Sequence, residues 1–350
     1  MTVKSGIRVL VVDDSILFRG VLIKGLSEDP GIEVVGSAIN ASDALDKIEK
    51  LKPDIVTMDV EMPKMSGIEL LKILIPKNPV PVILVSSLSI SVFEALSAGA
   101  VDFVKKPDMG SRDKVDAFID EMRSIIKTGY KAKVHRRPDI DAGSAVKLPV
   151  MTPLRGRTDS FVIALGASTG GTEATIEVLR DLPVDTPGIV VVQHMPSGFT
   201  KMYADRLNGL CKMEVSEAAD GDEIKTGRIL IAEGDKHMAV VKKGTGFAVR
   251  CYDGEKVSGH RPSVDVLFES MASQVKANAV GIIMTGMGRD GANGLLSMRK
   301  AGAFTIGQDK ETCVVYGMPM VAFDIGAVDI QAPLERIKVV LRDRLNKVLR

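Results

Sequence analysis

Two doubly wound α/β domains on a flexible tether form the architecture this chain predicts, and three observations carry it. Short apolar runs recur through residues 7–127 and again from Phe161 onward, and stretches with helical spacing lie between them. The runs are apolar at consecutive rather than alternate positions, which suits strands buried on both faces of a parallel sheet. Between the two series, residues 128–157 lose the rhythm and gather basic residues and prolines instead. The length of 350 residues agrees, since it accommodates about two domains at roughly 150 residues each.

The first domain is expected over residues 1–127. Ile7–Val12, Ile32–Val35, Ile55–Met58, Val80–Val85 and Val101–Val104 read as strands. Ser15–Leu26, Ala41–Leu51, Ser91–Ala98 and Arg112–Lys127 carry apolar residues at helical spacing. The expected linker, 128–157, holds Lys131, Lys133, Arg136, Arg137, Lys147, Arg155 and Arg157 against only Asp139 and Asp141. Pro138, Pro149 and Pro153 interrupt it, so it reads as a solvated, mobile tether. The second domain is expected over residues 158–350. Its strands are Phe161–Ala167, Gly188–His194, Arg228–Ala232, Ala279–Gly286 and Ala303–Gly307. Its helices include Glu173–Leu182, Val264–Val275 and Ala292–Ala301, and Lys236–Tyr252 reads as a β-hairpin.

Composition removes several function classes. The formal net charge is +1, which gives no global attraction to nucleic acid or to an anionic membrane. No apolar run approaches the ~20 residues of a spanning helix, and no signal-peptide core precedes the first strand, so a cytoplasmic protein without membrane insertion is expected. Cys211, Cys251 and Cys313 are too few and too scattered for a disulfide framework or a zinc site.

Chemistry gathers where the runs end. Asp13 and Asp14 follow the first, Asp59 follows Ile55–Met58, Ser86 follows Val85, and Lys106 follows the run ending at Val104. On one sheet edge, the carboxylates would hold a hard divalent cation through oxygen, and the lysine would pair with an anion beside it. A carboxylate so placed can accept a phosphoryl group as an acyl phosphate, a step that needs this charge neutralisation. The stretch resembles a response-regulator receiver domain. The resemblance rests on Val11-Val12-Asp13-Asp14-Ser15, on Met58-Asp59-Val60-Glu61-Met62-Pro63-Lys64-Met65-Ser66-Gly67, and on Lys105-Lys106-Pro107. It implies a flavodoxin-like fold, phosphorylation of Asp59 by a sensor histidine kinase, and Mg2+ bound by Asp14, Asp59 and the Glu61 carbonyl with Asp13 beside them. It further implies that Ser86 and Phe103, with Lys106, form the switch that responds to phosphorylation.

The second domain ends its runs differently. Gly166-Ala167-Ser168-Thr169-Gly170-Gly171 follows one strand, Gln193-His194 the next, and Thr285-Gly286-Met287-Gly288-Arg289-Asp290 a third. Gly-x-Ser-x-Gly spacing exposes a serine on a tight strand-to-helix turn, although a glycine-rich turn can equally cradle a phosphate. Serine, histidine and aspartate at three strand ends are the groups of a nucleophile, its base and the carboxylate that fixes the base. His260 is the rival base, and helix capping is the alternative for Ser168 and Asp290. Two other function classes fare worse. A dinucleotide site lacks an acidic ribose partner at the right distance, and a DNA-binding output would need a basic helix-turn-helix.

With those motifs, and with Ser258-Gly259-His260-Arg261-Pro262-Ser263-Val264-Asp265-Val266-Leu267-Phe268 and Cys313-Val314-Val315-Tyr316-Gly317-Met318-Pro319, the domain resembles the catalytic domain of chemotaxis-specific protein-glutamate methylesterases of the CheB type. The resemblance implies a Rossmann-like catalytic domain in which Ser168 is nucleophile, His194 base and Asp290 orienter, with no cofactor. It implies hydrolysis of γ-glutamyl methyl esters, and deamidation of glutamines, on the cytoplasmic helices of chemoreceptors. Backbone amides of His194 and Met287 are expected to stabilise the oxyanion, and the Thr169 hydroxyl to support the site.

Overall fold

The structure, a computed structural model, describes residues 6–87, 91–134, 158 and 160–349. These form two compact units, one on each side of residues 135–157. Most of the expected basic linker therefore lies outside the described residues.

The first unit alternates strictly: β1 (Ile7–Val12), α1 (Ile16–Ser27), β2 (Ile32–Ala38), α2 (Ala41–Leu51), β3 (Ile55–Asp59), α3 (Gly67–Lys77), β4 (Val82–Ser86), α4 (Ser91–Ser97), β5 (Asp102–Lys105) and α5 (Arg112–Gly129). The five strands pair in parallel in the order β2-β1-β3-β4-β5. Every residue of β3 and β4 is buried, as continuous apolar runs require. Helix starts follow side-chain chemistry. Ser15 caps α1, Asn40 caps α2, and Ser66 with Glu69 forms a capping box on α3. Helix α3 was not anticipated, because Gly67 opens it, Pro76 sits in its last turn, and Leu70, Leu71, Leu74 and Ile75 are all buried. The order reverses between β1 and β3, where the ends of both strands open a crevice.

The second unit contains β6 (Val162–Ala167), α6 (Gly171–Leu179), β7 (Gly188–Gln193), α7 (Phe199–Leu210), β8 (Glu214–Glu217), β9 (Glu223–Ile224), β10 (Arg228–Ile231), β11 (His237–Lys243), β12 (Gly246–Tyr252), α8 (Val264–Gln274), β13 (Ala279–Ile283), α9 (Ala292–Lys300), β14 (Phe304–Gln308), α10 (Met318–Asp324), β15 (Ile330–Ala332) and α11 (Leu334–Val348). Seven strands make a parallel sheet in the order β15-β14-β13-β6-β7-β10-β8. The expected hairpin is β11–β12, paired from His237↔Tyr252 to Lys243↔Gly246, and β9 joins it as an unanticipated third strand. Helix α8 packs on α9 and on β11. Its Leu267, Phe268 and Met271 are fully buried with Leu295 and Met298, each such side chain contributing roughly 1.5–3 kcal/mol.

The last helix shows how charge can hide a core element. Lys338 of α11 is 0% exposed, and its Nζ bonds Glu177 Oε1 at 3.1 Å and Asp181 Oδ2 at 2.8 Å, pinning α11 to α6. Among the described residues no helix is long and apolar enough to cross a membrane. Among the described residues no disulfide joins the cysteines, and burial pushes the thiols of Cys211 and Cys251 up to about 11, far from the reactive range.

Candidate functional sites at two sheet edges

In the first unit, the carboxyl ends of β1 and β3 bring three carboxylates together. One oxygen each from Asp13, Asp14 and Asp59 lies within 4.8 Å of the others. Asp13 and Asp59 are buried while Asp14 faces solvent, so the cluster is open on one side. Lys106, from the end of β5, reaches across with Nζ at 2.6 Å from Asp59 Oδ2 and 3.1 Å from Asp13 Oδ2. The Phe18 ring lies 4.8 Å beneath that ammonium. The second oxygen of Asp59 accepts the Glu61 amide at 3.1 Å. Burial pushes the Asp59 carboxyl up, and the pairing with Lys106 only partly offsets it. Burial works to lower the lysine, yet its bonds to Asp59 and Asp13 win and hold it above the ordinary value.

An all-oxygen donor set with a buried excess of negative charge suits a hard cation that keeps several waters, as Mg2+ does. Ser86 ends β4 fully buried, with its hydroxyl donating to the Ser87 carbonyl at 2.9 Å. Phe103 is buried in β5, two residues before the strand ends.

In the second unit, the ends of β6, β7 and β13 assemble a different set. Ser168 follows β6 on a turn that bends at once into α6. Gly170 makes the bend at φ +75°, where a side chain would also run into Val314. His194 follows β7, and Asp290 lies between β13 and α9, where Gly291 turns the chain at φ +88°. His194 Nε2 and Asp290 Oδ2 are 2.8 Å apart. Asp290 is 1% exposed and accepts three more donors: Ser263 Oγ at 2.7 Å, the Val264 amide at 2.7 Å and the Asp265 amide at 3.0 Å. Ser263 and these amides form the start of α8, so the carboxylate sits on a helix N-terminus as well.

Burial alone would raise the Asp290 carboxyl, but His194 and the bonds from Asp265 and Ser263 hold it below the ordinary range. Its neighbour Asp265 moves the other way, pushed up by burial and by the charge of Asp290. An ionised Asp290 requires the hydrogen on His194 Nε2, which leaves Nδ1 as the acceptor. Nδ1 is buried and makes no hydrogen bond in this structure, so the Ser168–His194 contact is not closed here. Catalytic contacts of this kind commonly tighten only around substrate.

Residues that sequence reasoning passed over hold the strand ends in place. Gln193 Nε2 donates to the Ser168 carbonyl at 2.9 Å and to the His194 carbonyl at 3.2 Å, clamping the Ser168 and His194 segments with one amide. Thr285 Oγ1 donates to the Thr169 carbonyl at 3.0 Å and accepts the Val315 amide at 3.0 Å. The only signal for either was a polar residue closing an apolar run. The oxyanion expectation needs one correction. The His194 amide donates to the Ala167 carbonyl at 3.1 Å, because the β6–β7 ladder runs one residue past the strands, so it is not available to substrate. Met287 remains half-buried on the β13–α9 loop, and Thr169 is buried beside Ser168. The rival base His260 stacks on His194, with ring centroids 3.8 Å apart and planes 10° from parallel.

Comparison with known proteins bears on both units. The family described as CheB methylesterase matches residues 163–341, and the response regulator receiver domain matches residues 9–114. The chain is 52% identical over 342 residues, covering 98% of each chain, to the protein-glutamate methylesterase/protein-glutamine glutaminase 2 of Syntrophomonas wolfei subsp. wolfei. A protein-glutamate methylesterase/protein-glutamine glutaminase of Sulfurimonas denitrificans is 48% identical over 348 residues, with 97% of this chain and 99% of that one covered. Among solved structures, the CheB methylesterase catalytic domain of Thermotoga maritima is similar at a TM-score of 0.52 and 37% identity, covering 53% of this chain and 98% of that one.

Proposed function

The chain belongs to the CheB methylesterase family and carries a response regulator receiver domain, and from that premise we propose a phosphorylation-activated esterase that hydrolyses γ-glutamyl methyl esters on the cytoplasmic helices of chemoreceptors. Glutamine deamidation on the same helices goes with it, since amide and ester pass through similar tetrahedral intermediates. The division of labour is a receiver at 1–127, a linker at 128–157 and the catalytic domain at 158–350.

The observation that carries the reading is the 2.8 Å pairing of His194 Nε2 with a saturated Asp290, which leaves Nδ1 free on the segment clamped to Ser168. Ser168 Oγ attacks the ester carbonyl while His194 Nδ1 takes its proton. The imidazolium is stabilised by Asp290 and returns the proton to the departing methoxide, which leaves as methanol. Water, deprotonated by the same histidine, then releases the glutamate carboxylate. The Met287 amide is the donor assigned to the oxyanion, a contact of a kind that contributes roughly 3–4 kcal/mol to the barrier. Thr169 supports the turn that presents Ser168.

In the receiver, an Asp59 oxygen attacks the phosphorus of a histidine kinase's phosphohistidine, forming an acyl phosphate as the P–N bond breaks and the kinase imidazole departs. Asp13, Asp14, Asp59 and the Glu61 carbonyl would hold Mg2+, which when bound neutralises charge on the transferring oxygens. Lys106 pairs with a phosphoryl oxygen, and Ser86 and Phe103 respond to it. Such a chain works in the cytoplasm, where both kinase and receptor helices are reached.

The test is methanol release from receptor membranes carrying methyl esters, with and without a small phosphodonor. Ser168→Ala should abolish release and leave Asp59 phosphorylation intact. Turnover that survives this change would remove the serine from the mechanism.

A further inference from the structure

His260 lies outside the Ser168–His194–Asp290 set, yet it has the closest ring contact at that site. Its ring is stacked on His194 at 3.8 Å and 10°. Among the described residues its nitrogens have no hydrogen-bond partner, so the stack is the contact its imidazole makes. The ring is delivered by a two-residue turn. Val257 and His260 exchange both backbone hydrogen bonds, at 3.1 and 2.9 Å, around Ser258 and Gly259, which lie at φ +53° and +84°.

That turn is tied back to the orienting carboxylate. Ser258 Oγ bonds Asp265 Oδ2 at 3.2 Å, the Asp265 amide bonds Asp290 Oδ1 at 3.0 Å, and Asp290 Oδ2 meets His194 Nε2 at 2.8 Å. The contacts therefore close a circuit: His194, Asp290, Asp265, Ser258, His260 and back to His194. A hydrogen bond to one ring nitrogen fixes a point on an imidazole but leaves the ring free to rock about it. A flat partner against the face removes that freedom.

We propose that His260 is a positioning residue for the esterase reaction, its ring holding the plane of His194 so that Nδ1 can meet the Ser168 hydroxyl when substrate is bound while Nε2 stays on Asp290. The inference rests on the reading of Ser168 and His194 as nucleophile and base. The chemistry of the stack fits the role. Burial and the neighbouring His194 hold His260 down to about 4, against the opposing pull of Asp290, so the ring is neutral when His194 takes up the serine proton. A charged partner in that place would oppose the transfer. Lys256, on the same turn, is the remaining cation that bears on it.

The experiment compares His260→Ala and His260→Phe in the full chain by two readouts. One is the rate at which a fluorophosphonate labels Ser168, which reports base function without any receptor. The other is kcat and KM for methanol release from methylated receptor membranes. His260→Ala is expected to slow labelling and kcat together by about 10- to 100-fold, the scale of a misaimed catalytic group, with KM within about twofold. His260→Phe, which restores a flat ring, is expected to recover both to within about threefold of the wild type. Unchanged labelling in His260→Ala would overturn the proposal, and so would equal impairment of the two variants, since ring nitrogens rather than the stack would then be at work. A loss confined to KM would overturn it as well. If receptor turnover is absent but labelling follows the expected order, the substrate reading fails and the positioning role stands. If the wild-type protein is not labelled at Ser168, both fail.

Discussion

Asp59 and Asp290 are both buried carboxylates at the carboxyl edge of a parallel sheet, and they are set to opposite tasks by the number of hydrogens aimed at them. Asp59 accepts the Glu61 amide and Lys106, and burial still pushes its carboxyl up. Asp290 accepts His194, Ser263 and two amides at the start of α8, and its carboxyl is held down. The first has lone pairs in reserve and an uncomfortable charge, which suits the phosphoryl-acceptor role proposed for it. The second has its hydrogen-bonding capacity filled and serves as an anchor. Sheet edge and residue type are the same, so the neighbours decide the chemistry.

The largest test of that contrast is Asp290→Asn. The two α8 amides fall on different oxygens, Val264 on Oδ2 beside His194 and Asp265 on Oδ1, so an amide can accept from only one of them, and an NH2 set at Nε2 favours the wrong histidine tautomer. Methanol release should fall by roughly 10^4-fold with receiver phosphorylation untouched. A drop below about tenfold would mean that the carboxylate orients nothing. Asp59→Asn should do the reverse, leaving unstimulated release in place while abolishing the gain from a phosphodonor. Equal stimulation in the mutant would move the phosphorylation site elsewhere. Chelation of divalent cations should separate the two edges again, stopping phosphate incorporation at Asp59 while basal release continues, as read by parallel phosphate and methanol assays.

A smaller effect is expected from the stacked imidazole. His260 has a folded value of about 4 against an ordinary 6.5, so the unfolded chain binds the extra proton between those values. Stability should therefore fall as pH drops from about 6.5 towards about 4, by on the order of 2 kcal/mol after allowance for partial exposure. The groups facing this ring are His194, Asp290 and Lys256. His260→Phe should flatten that limb in denaturant titrations, and an unchanged slope would assign the acid sensitivity to other groups.

Both edges were legible in the sequence because they are built from apolar runs that end in reactive residues. Asp13, Asp14, Asp59 and Lys106, and separately His194 and Asp290, were read from linear position and meet in space. What the sequence hid was of two kinds. Helix α11 was missed because Lys338 and Arg342 resemble solvated positions, whereas both are buried against carboxylates of residues 177–185. Supporting polar residues such as Gln193 and Thr285 were missed because their work is done across strands, through pairings that no local spacing records. The His194 amide was misassigned for the same reason, as the ladder that consumes it extends beyond the strand by one residue.

The donors on Asp290 all come from residues 194–265, within the catalytic unit itself. In the proposed mechanism the orienting half of the machine is thus finished when that unit folds, with no signal required to complete it. A resting protein is therefore expected to idle rather than stop, and the incoming phosphoryl group would act as a throttle on an engine already running.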